Sequence, residues 1–211
     1  GHVDGHDTPR RLEKDETISI VFDLDQIAYR IVKGHKIRLS ISNSYWPLLW
    51  PTPDKGEIEI VEGSIEIPVI NSSIENTRNF LTEKTDEPWK NETLREASNS
   101  RKVTRDIGSD GSILEIIDDF GLVRDLKHGL EIGSIAREWW SIHPDDPLSA
   151  EGKTHWTEER SRGAWKTRTE TYAKMNSDAE NFYIYAKLEA YENEILFFEK
   201  EISETISRDS H

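Results

Sequence analysis

Apolar residues in several stretches of this chain recur at every second position. Ile37, Leu39 and Ile41 alternate with Lys36, Arg38 and Ser40, and Ile18, Ile20 and Phe22 do the same from Thr17 to Asp23. The pattern is longest near the C-terminus. Trp165, Thr167, Thr169, Thr171, Ala173 and Met175 share one side of a strand, and Phe182, Ile184, Ala186, Leu188 and Ala190 share one side of the next. Leu196, Phe198, Ile202 and Ile206 follow on a third, with charges opposite. A two-residue period puts one set of side chains on each face of a pleated sheet, so each strand has one apolar and one wet face. No convincing long amphipathic helix interrupts it. The expectation is an all-β, antiparallel protein whose last sixty or so residues form a meander with an apolar face that must rest on something.

Turn residues divide the chain. Lys33-Gly34 separates two extended runs, Ile27–Val32 and the strand holding Ile37 to Ile41. Short strands are expected at Ile58–Ile60 and Ile65–Val69, across a tight turn at Glu62-Gly63. Residues 71–100 are rich in Asn, Ser, Thr and Glu, with Phe80, Leu81, Trp89 and Leu94 as apolar anchors, and read as a surface connection pinned by Pro88-Trp89. Strands return at Lys102–Ile107, Ser112–Ile117 and Gly121–Leu126, linked by Ser109-Asp110-Gly111 and Asp119-Phe120-Gly121. Gly129–Ser141 mixes both periods and is read as a strand ending in Trp139-Trp140. Thr154–Glu159 then pairs with Ala164–Met175. The reading is of three parts: 1–70, a connection over 71–100, and an antiparallel extension over 101–211.

Between Ser44 and Pro53 the alternation stops. Tyr45-Trp46-Pro47-Leu48-Leu49-Trp50-Pro51 places three large rings on a loop whose prolines cannot donate to a ladder. Such a surface either caps the core or makes a contact. Ala28-Tyr29-Arg30, Gly34-His35-Lys36-Ile37-Arg38-Leu39 and Ser44-Tyr45-Trp46-Pro47 closely resemble the C-terminal domain of the cocaine esterase / X-Pro dipeptidyl-peptidase (CocE/NonD) family of serine hydrolases. The match is specific over about the first seventy residues. Trp165–Glu170 and Leu188–Glu192 resemble an extension carried by one branch of that family. The resemblance implies a jelly-roll-like, galactose-binding-like β-sandwich beside an α/β-hydrolase domain, which is the partner it predicts. It implies that the rings of the loop pack against that domain or border its cleft, and that the Ser, His and Asp of catalysis lie outside this chain. Tyr45, Trp46, Trp50 and His35 are the binding or domain-interface candidates, His35 reading either as a base or as a hydrogen-bonded packing residue after the turn glycine, and no cofactor is expected.

The residues themselves agree on the last point. A serine nucleophile of that kind needs a Gly-x-Ser-x-Gly elbow between a strand and a helix, and the chain contains none. Nor is there a phosphate loop or a His-Glu-x-x-His metal motif. His2, Asp4, His6 and Asp7 have donor atoms but no rigid frame to set their geometry, and His143 with Asp145 and Asp146 reads as a solvated turn. With 41 acidic against 27 basic residues among 211, the net charge of -14 opposes binding to nucleic acid. No apolar run reaches eighteen residues, so no membrane helix is expected. The absence of cysteine fits a reducing compartment, the cytoplasm. The functional expectation is a non-catalytic β module that supports a hydrolase domain, its pocket or a homo-oligomer. The alternative is a free-standing carbohydrate- or ligand-binding sandwich, with the aromatic loop as its platform; a lipid-handling barrel needs an enclosed cavity as well.

Overall fold

The computed structural model describes residues 7, 10, 12–70, 82 and 85–208. His2, Asp4 and His6, and the anchors Phe80 and Leu81, lie outside the described residues. Among the described residues, eight strands form one antiparallel sheet: β1 (Asn91–Arg95), β2 (Ser98–Arg105), β3 (Ser112–Asp125), β4 (Glu131–His143), β5 (Asp146–Arg162), β6 (Trp165–Ser177), β7 (Asn181–Glu192) and β8 (Ile195–Ser207). The described residues contain no helix. The molecule is all-β, consistent with a β-sandwich-like fold, and its C-terminal part is a meander in which each strand from β3 onward pairs with the next. β1 and β2 lie end to end along one side of β3, and β8 closes the other side of an open sheet.

The meander follows from its turns. Asn193 and Glu194 have φ of 48° and 66°, the doubly left-handed pair that matches the twist of adjoining strands. Asp178 Oδ1 accepts the N–H groups of Glu180 and Asn181, and Asp125 Oδ1 those of Lys127 and His128. Each carboxylate supplies acceptors where the backbone leaves the ladder. The register pairs Ala173 with Ala186, Thr171 with Leu188, Ala186 with Ile202 and Ala190 with Phe198, so the apolar sets lie side by side on one face. The opposite face carries Arg168, Glu170, Lys174, Lys187, Glu189, Glu199 and Glu201, while Lys200 and Glu204 of β8 lie on the apolar face. The buried apolar residues among those described are Ala136 and Ala150, at 2% and 1% exposure.

Three expectations change. Asp119-Phe120-Gly121 is not a link between strands but a bulge within β3, where the register slips between Asp119 and Leu122. Gly121 has φ +83°, and a Cβ there would stand 2.7 Å from Arg95 O. Left-handed glycine serves a bulge as well as a turn, so the residue type alone did not choose. Second, residues 91–95 and 98–100, expected in the connection, belong to β1 and β2. Polar strands can join a sheet edge through backbone hydrogen bonds alone. β5 likewise begins at Asp146, well before Thr154.

Third, residues 12–70 contain no strand. The turn at Lys33-Gly34 forms, with His35 N–H donating to Val32 O at 3.0 Å, but none forms at Glu62-Gly63. Thr17–Asp23, Ile27–Val32, Ile37–Ile41, Ile58–Ile60 and Ile65–Val69 have no ladder partner among the described residues. Their apolar side chains stay largely outside: Phe22 is 70% exposed and Leu39 56%, with Ile18 half-buried. Alternation defines which face a strand will bury, but only a neighbour makes it a strand.

Candidate functional site

The aromatic loop is the place where the first part of the chain meets the sheet. Leu49 N–H donates to Tyr45 O at 2.9 Å, closing Tyr45–Leu49 into a compact turn, and the Trp46-Pro47 peptide is cis. Trp46 meets Trp50 edge to face, with centroids 5.0 Å apart, and meets Trp140 of β4 in the same way at 5.8 Å. Trp50 in turn stands on Phe182 of β7 at 6.2 Å. These T-shaped contacts are the preferred aromatic geometry, because a positive ring edge faces a negative ring face. Trp140 lies flat over Gly152 of β5; a Cβ at that glycine would fall 2.6 Å from the ring. The smallest residue on β5 is therefore what lets Trp140 form a floor.

A polar clasp holds the loop there. Trp50 Nε1 donates to Ser177 Oγ at 2.9 Å. Arg208, only 3% exposed, donates to the same Ser177 oxygen at 2.9 Å, to Asp178 O at 3.0 Å and to Pro51 O at 2.7 Å. Its guanidinium lies 4.7 Å from the Phe182 ring centre. Burial lowers the Arg208 pKa, while the carboxylates of Asp178 and Asp54 oppose that shift. The guanidinium remains charged because its starting value is so high. One arginine thus joins the loop, the end of β6 and the start of β7. Tyr45, Leu48 and Leu49 form the outer crown, at 63%, 70% and 64% exposure.

Of the residues singled out from sequence, Tyr45, Trp46 and Trp50 share this corner, and His35 sits apart on its own exposed turn. Sequence reasoning missed Ser177, Phe182 and Arg208. Phe182 was legible as an apolar-face residue. Nothing in the local pattern marks Arg208, which acts through contacts far along the chain. Trp139 and Trp140 divide between the faces: Trp139 Nε1 donates to Glu115 Oε2 at 3.1 Å on the charged side. Trp89 ties the connection to β3 through Nε1 to Asp125 Oδ2 at 2.7 Å.

A second cluster lies on the charged face. Glu170 of β6, 8% exposed, accepts from His155 Nε2 at 2.7 Å, from Thr157 Oγ at 2.8 Å and from Arg168. Burial raises its pKa, but Thr157, His155 and Arg168 together hold it below the usual carboxylate value. His155 stacks on Tyr172 at 4.3 Å, and Arg168 covers Tyr191 at 4.1 Å. The hydroxyl, the imidazole and the carboxylate are the members of a triad in the wrong order. Thr157 gives its proton to Glu170 and receives Arg137 at 3.0 Å, so no imidazole nitrogen faces it as a base. The network locks β5 to β6. At the His143 turn, His143 Nδ1 accepts from Asp145 N–H and Asp146 Oδ1 from Leu148 N–H. No group of three or more His, Cys, Asp or Glu among the described residues could hold a metal ion.

No curated protein and no solved structure matches the chain. A family model does match over residues 1–103, that of the X-Pro dipeptidyl-peptidase C-terminal non-catalytic domain. The matched span contains the whole aromatic loop and ends within β2; assignment to the CocE/NonD family is consistent with it. Over residues 1–103, just under half of its length, the chain is similar to the C-terminal, non-catalytic domain of X-Pro dipeptidyl-peptidases.

Proposed function

We propose that the chain is a supporting β module of an α/β-hydrolase-type serine hydrolase, an acyl esterase or X-Pro dipeptidyl-peptidase-like enzyme. The hydrolase domain supplies the Ser-His-Asp acyl-enzyme chemistry, and this module sets its aromatic corner against that domain beside the substrate pocket. The observation that carries the reading is the crown of Tyr45, Leu48 and Leu49. It is an apolar tip on a loop fixed from beneath by two indoles and an arginine, and it lies within the residues that match the family. Rigid aromatic and aliphatic tips make good contact anchors because little entropy is lost on docking. Trp46 and Trp50 spend their faces and edges on the sheet, which disfavours them as a sugar platform. His35 is a further contact point in this reading.

The test combines the purified chain with a separately produced hydrolase domain from an X-Pro dipeptidyl-peptidase-like enzyme. The chain alone should neither turn over activated acyl esters nor react with a fluorophosphonate probe. It should bind the hydrolase domain, and Tyr45→Ala with Leu48→Ser and Leu49→Ser should weaken that binding at least about tenfold. Fluorophosphonate labelling of a serine in this chain overturns the reading. Tight binding on a glycan array moves it to the ligand-binding class.

A further inference from the structure

We infer that β8 is a self-pairing edge, through which two copies of this chain join in one continuous antiparallel sheet about a two-fold axis at Ile202. Among the described residues β8 is hydrogen-bonded to β7 alone, and every residue of it is exposed. It is 13 residues long and contains neither proline nor glycine. An edge so long is normally blocked, since its free N–H and C=O groups are a template for another strand.

The side chains fit a second copy in one register. On the apolar face the order is Phe198, Lys200, Ile202, Glu204, Ile206, which is apolar, positive, apolar, negative, apolar. Two such strands running antiparallel about Ile202 place Lys200 opposite the partner's Glu204 and Glu204 opposite the partner's Lys200. Phe198 meets Ile206, and Ile202 meets Ile202. Neither Lys200 nor Glu204 has an ionic partner within the described residues, while Glu199 and Glu201 on the other face approach Lys187 at 3.4 and 3.7 Å. The charges left over are thus the two that the dimer pairs. Centring the axis on Lys200, Glu201 or Glu204 sets a charge against itself.

The backbone agrees. Arg208 N–H donates to Glu180 O at 2.8 Å, and the β7–β8 register pairs Phe182 with Ile206 and Ala186 with Ile202. Hydrogen bonding alternates along an antiparallel pair, so even-numbered β8 residues point their backbone groups at β7. Glu199, Glu201, Ser203 and Thr205 therefore present theirs to the open edge. About Ile202, Glu201 exchanges bonds with Ser203, and Glu199 with Thr205. Phe198, Lys200, Ile202 and Glu204 then occupy the positions without backbone bonds, where facing side chains are closest. The register slip at β8's start, between Phe198 and Leu196, ends the seam on one side, and the inward Arg208 ends it on the other. The inference rests on β8 and not on the hydrolase reading, so either can fail alone.

Sedimentation velocity on the full chain over a concentration series tests it. The chain should give a dimer. Lys200→Glu and Glu204→Lys each set like charges opposite one another twice, and each should weaken self-association at least about tenfold. An equimolar mixture of the two variants restores both ion pairs and should recover a heterodimer. Ser203→Pro removes an outward N–H while sparing the β7 ladder, so it should give a monomer with unchanged amide protection in β7. A monomer up to millimolar concentration overturns the inference. So does open-ended aggregation without a dimer, a dimer indifferent to the charge changes, or a mixture that is not rescued.

Discussion

Residues 12–70 and residues 91–207 carry the same two-residue alternation, yet only the second stretch is a sheet. The difference lies in what stands next to each strand. In the meander a turn of two to five residues brings the next strand alongside, so each strand's neighbour is its neighbour in sequence, the contact that costs least loop entropy. Between Thr17 and Ile70 the turns are few, and apart from the half-buried Ile18 the large aliphatics remain exposed, up to 95% at Val21. The two regions meet at the aromatic corner. Periodicity therefore encodes orientation, and turn chemistry encodes partnership; a stretch with the first and not the second has its faces assigned but its neighbours unspecified.

The sharpest way to break the laddered region is at the glycine bulge of β3. Gly121→Val forces a β-branched residue to φ +83° and drives a Cβ to within 2.7 Å of Arg95 O. The combined backbone strain and clash should cost about 3 kcal/mol and detach β1 from β3. Urea denaturation would read the loss, and hydrogen exchange would place it at Leu122–Asp125. A value below about 1 kcal/mol would mean that the bulge relaxes freely.

Arg208→Ala attacks the joint between the two regions. It leaves Pro51 O, Asp178 O and one acceptor site of Ser177 without their donor and uncovers the Phe182 ring. The expected loss is about 2 kcal/mol. Faster exchange should be confined to residues 45–51 and the β6–β7 turn. Gly152→Ala should act on the same joint from below by displacing Trp140, at about 1 to 2 kcal/mol. If Arg208→Ala leaves the loop amides protected, ring packing holds the corner; if Gly152→Ala does, the arginine clasp holds it.

The meander was legible because its signals agree: Ala173, Met175, Ile184 and Ala186 keep phase, and Asn193 and Asp178 mark the turns. Trp46 and Trp50 were legible as a special loop from their prolines. What they rest on was not, since Gly152 and Arg208 matter through tertiary distance and have no local pattern. β1 and the first half of β2 escaped notice because a polar edge strand such as Asn91–Arg95 joins through backbone groups that every sequence has. The Asp119–Gly121 bulge used the same residue types as a hairpin, and only the register separates the two.

Within the meander, the buried Glu170 gives a pH signature. Its folded pKa lies below the unfolded value of about 4.3. The stability it contributes is therefore present above that value and lost as pH falls through the folded pKa. Glu170→Gln should cost about 1 kcal/mol at neutral pH and give a flatter stability curve below about pH 4.5. Parallel acid curves for the two proteins would show that His155, Thr157 and Arg168 hold the amide as well as the carboxylate.

The smallest expected effect is the most direct comparison of the two regions. Leu39 and Leu188 are the same residue type at equivalent positions in an alternating run. Leu39 is 56% exposed with no cross-strand neighbour, whereas Leu188 faces Thr171 on one side and Lys200 on the other and is half-buried. Leu188→Asn removes apolar contact from a formed sheet and should cost about 1 kcal/mol. Leu39→Asn should stay within about 0.5 kcal/mol in the chain by itself. The same Leu39→Asn change should become costly once a neighbouring strand or domain covers that face, because burial and not alternation sets its value. Equal losses at the two positions in the free chain would mean that residues 17–41 already have a partner in solution, and the contrast between the regions would fall with it.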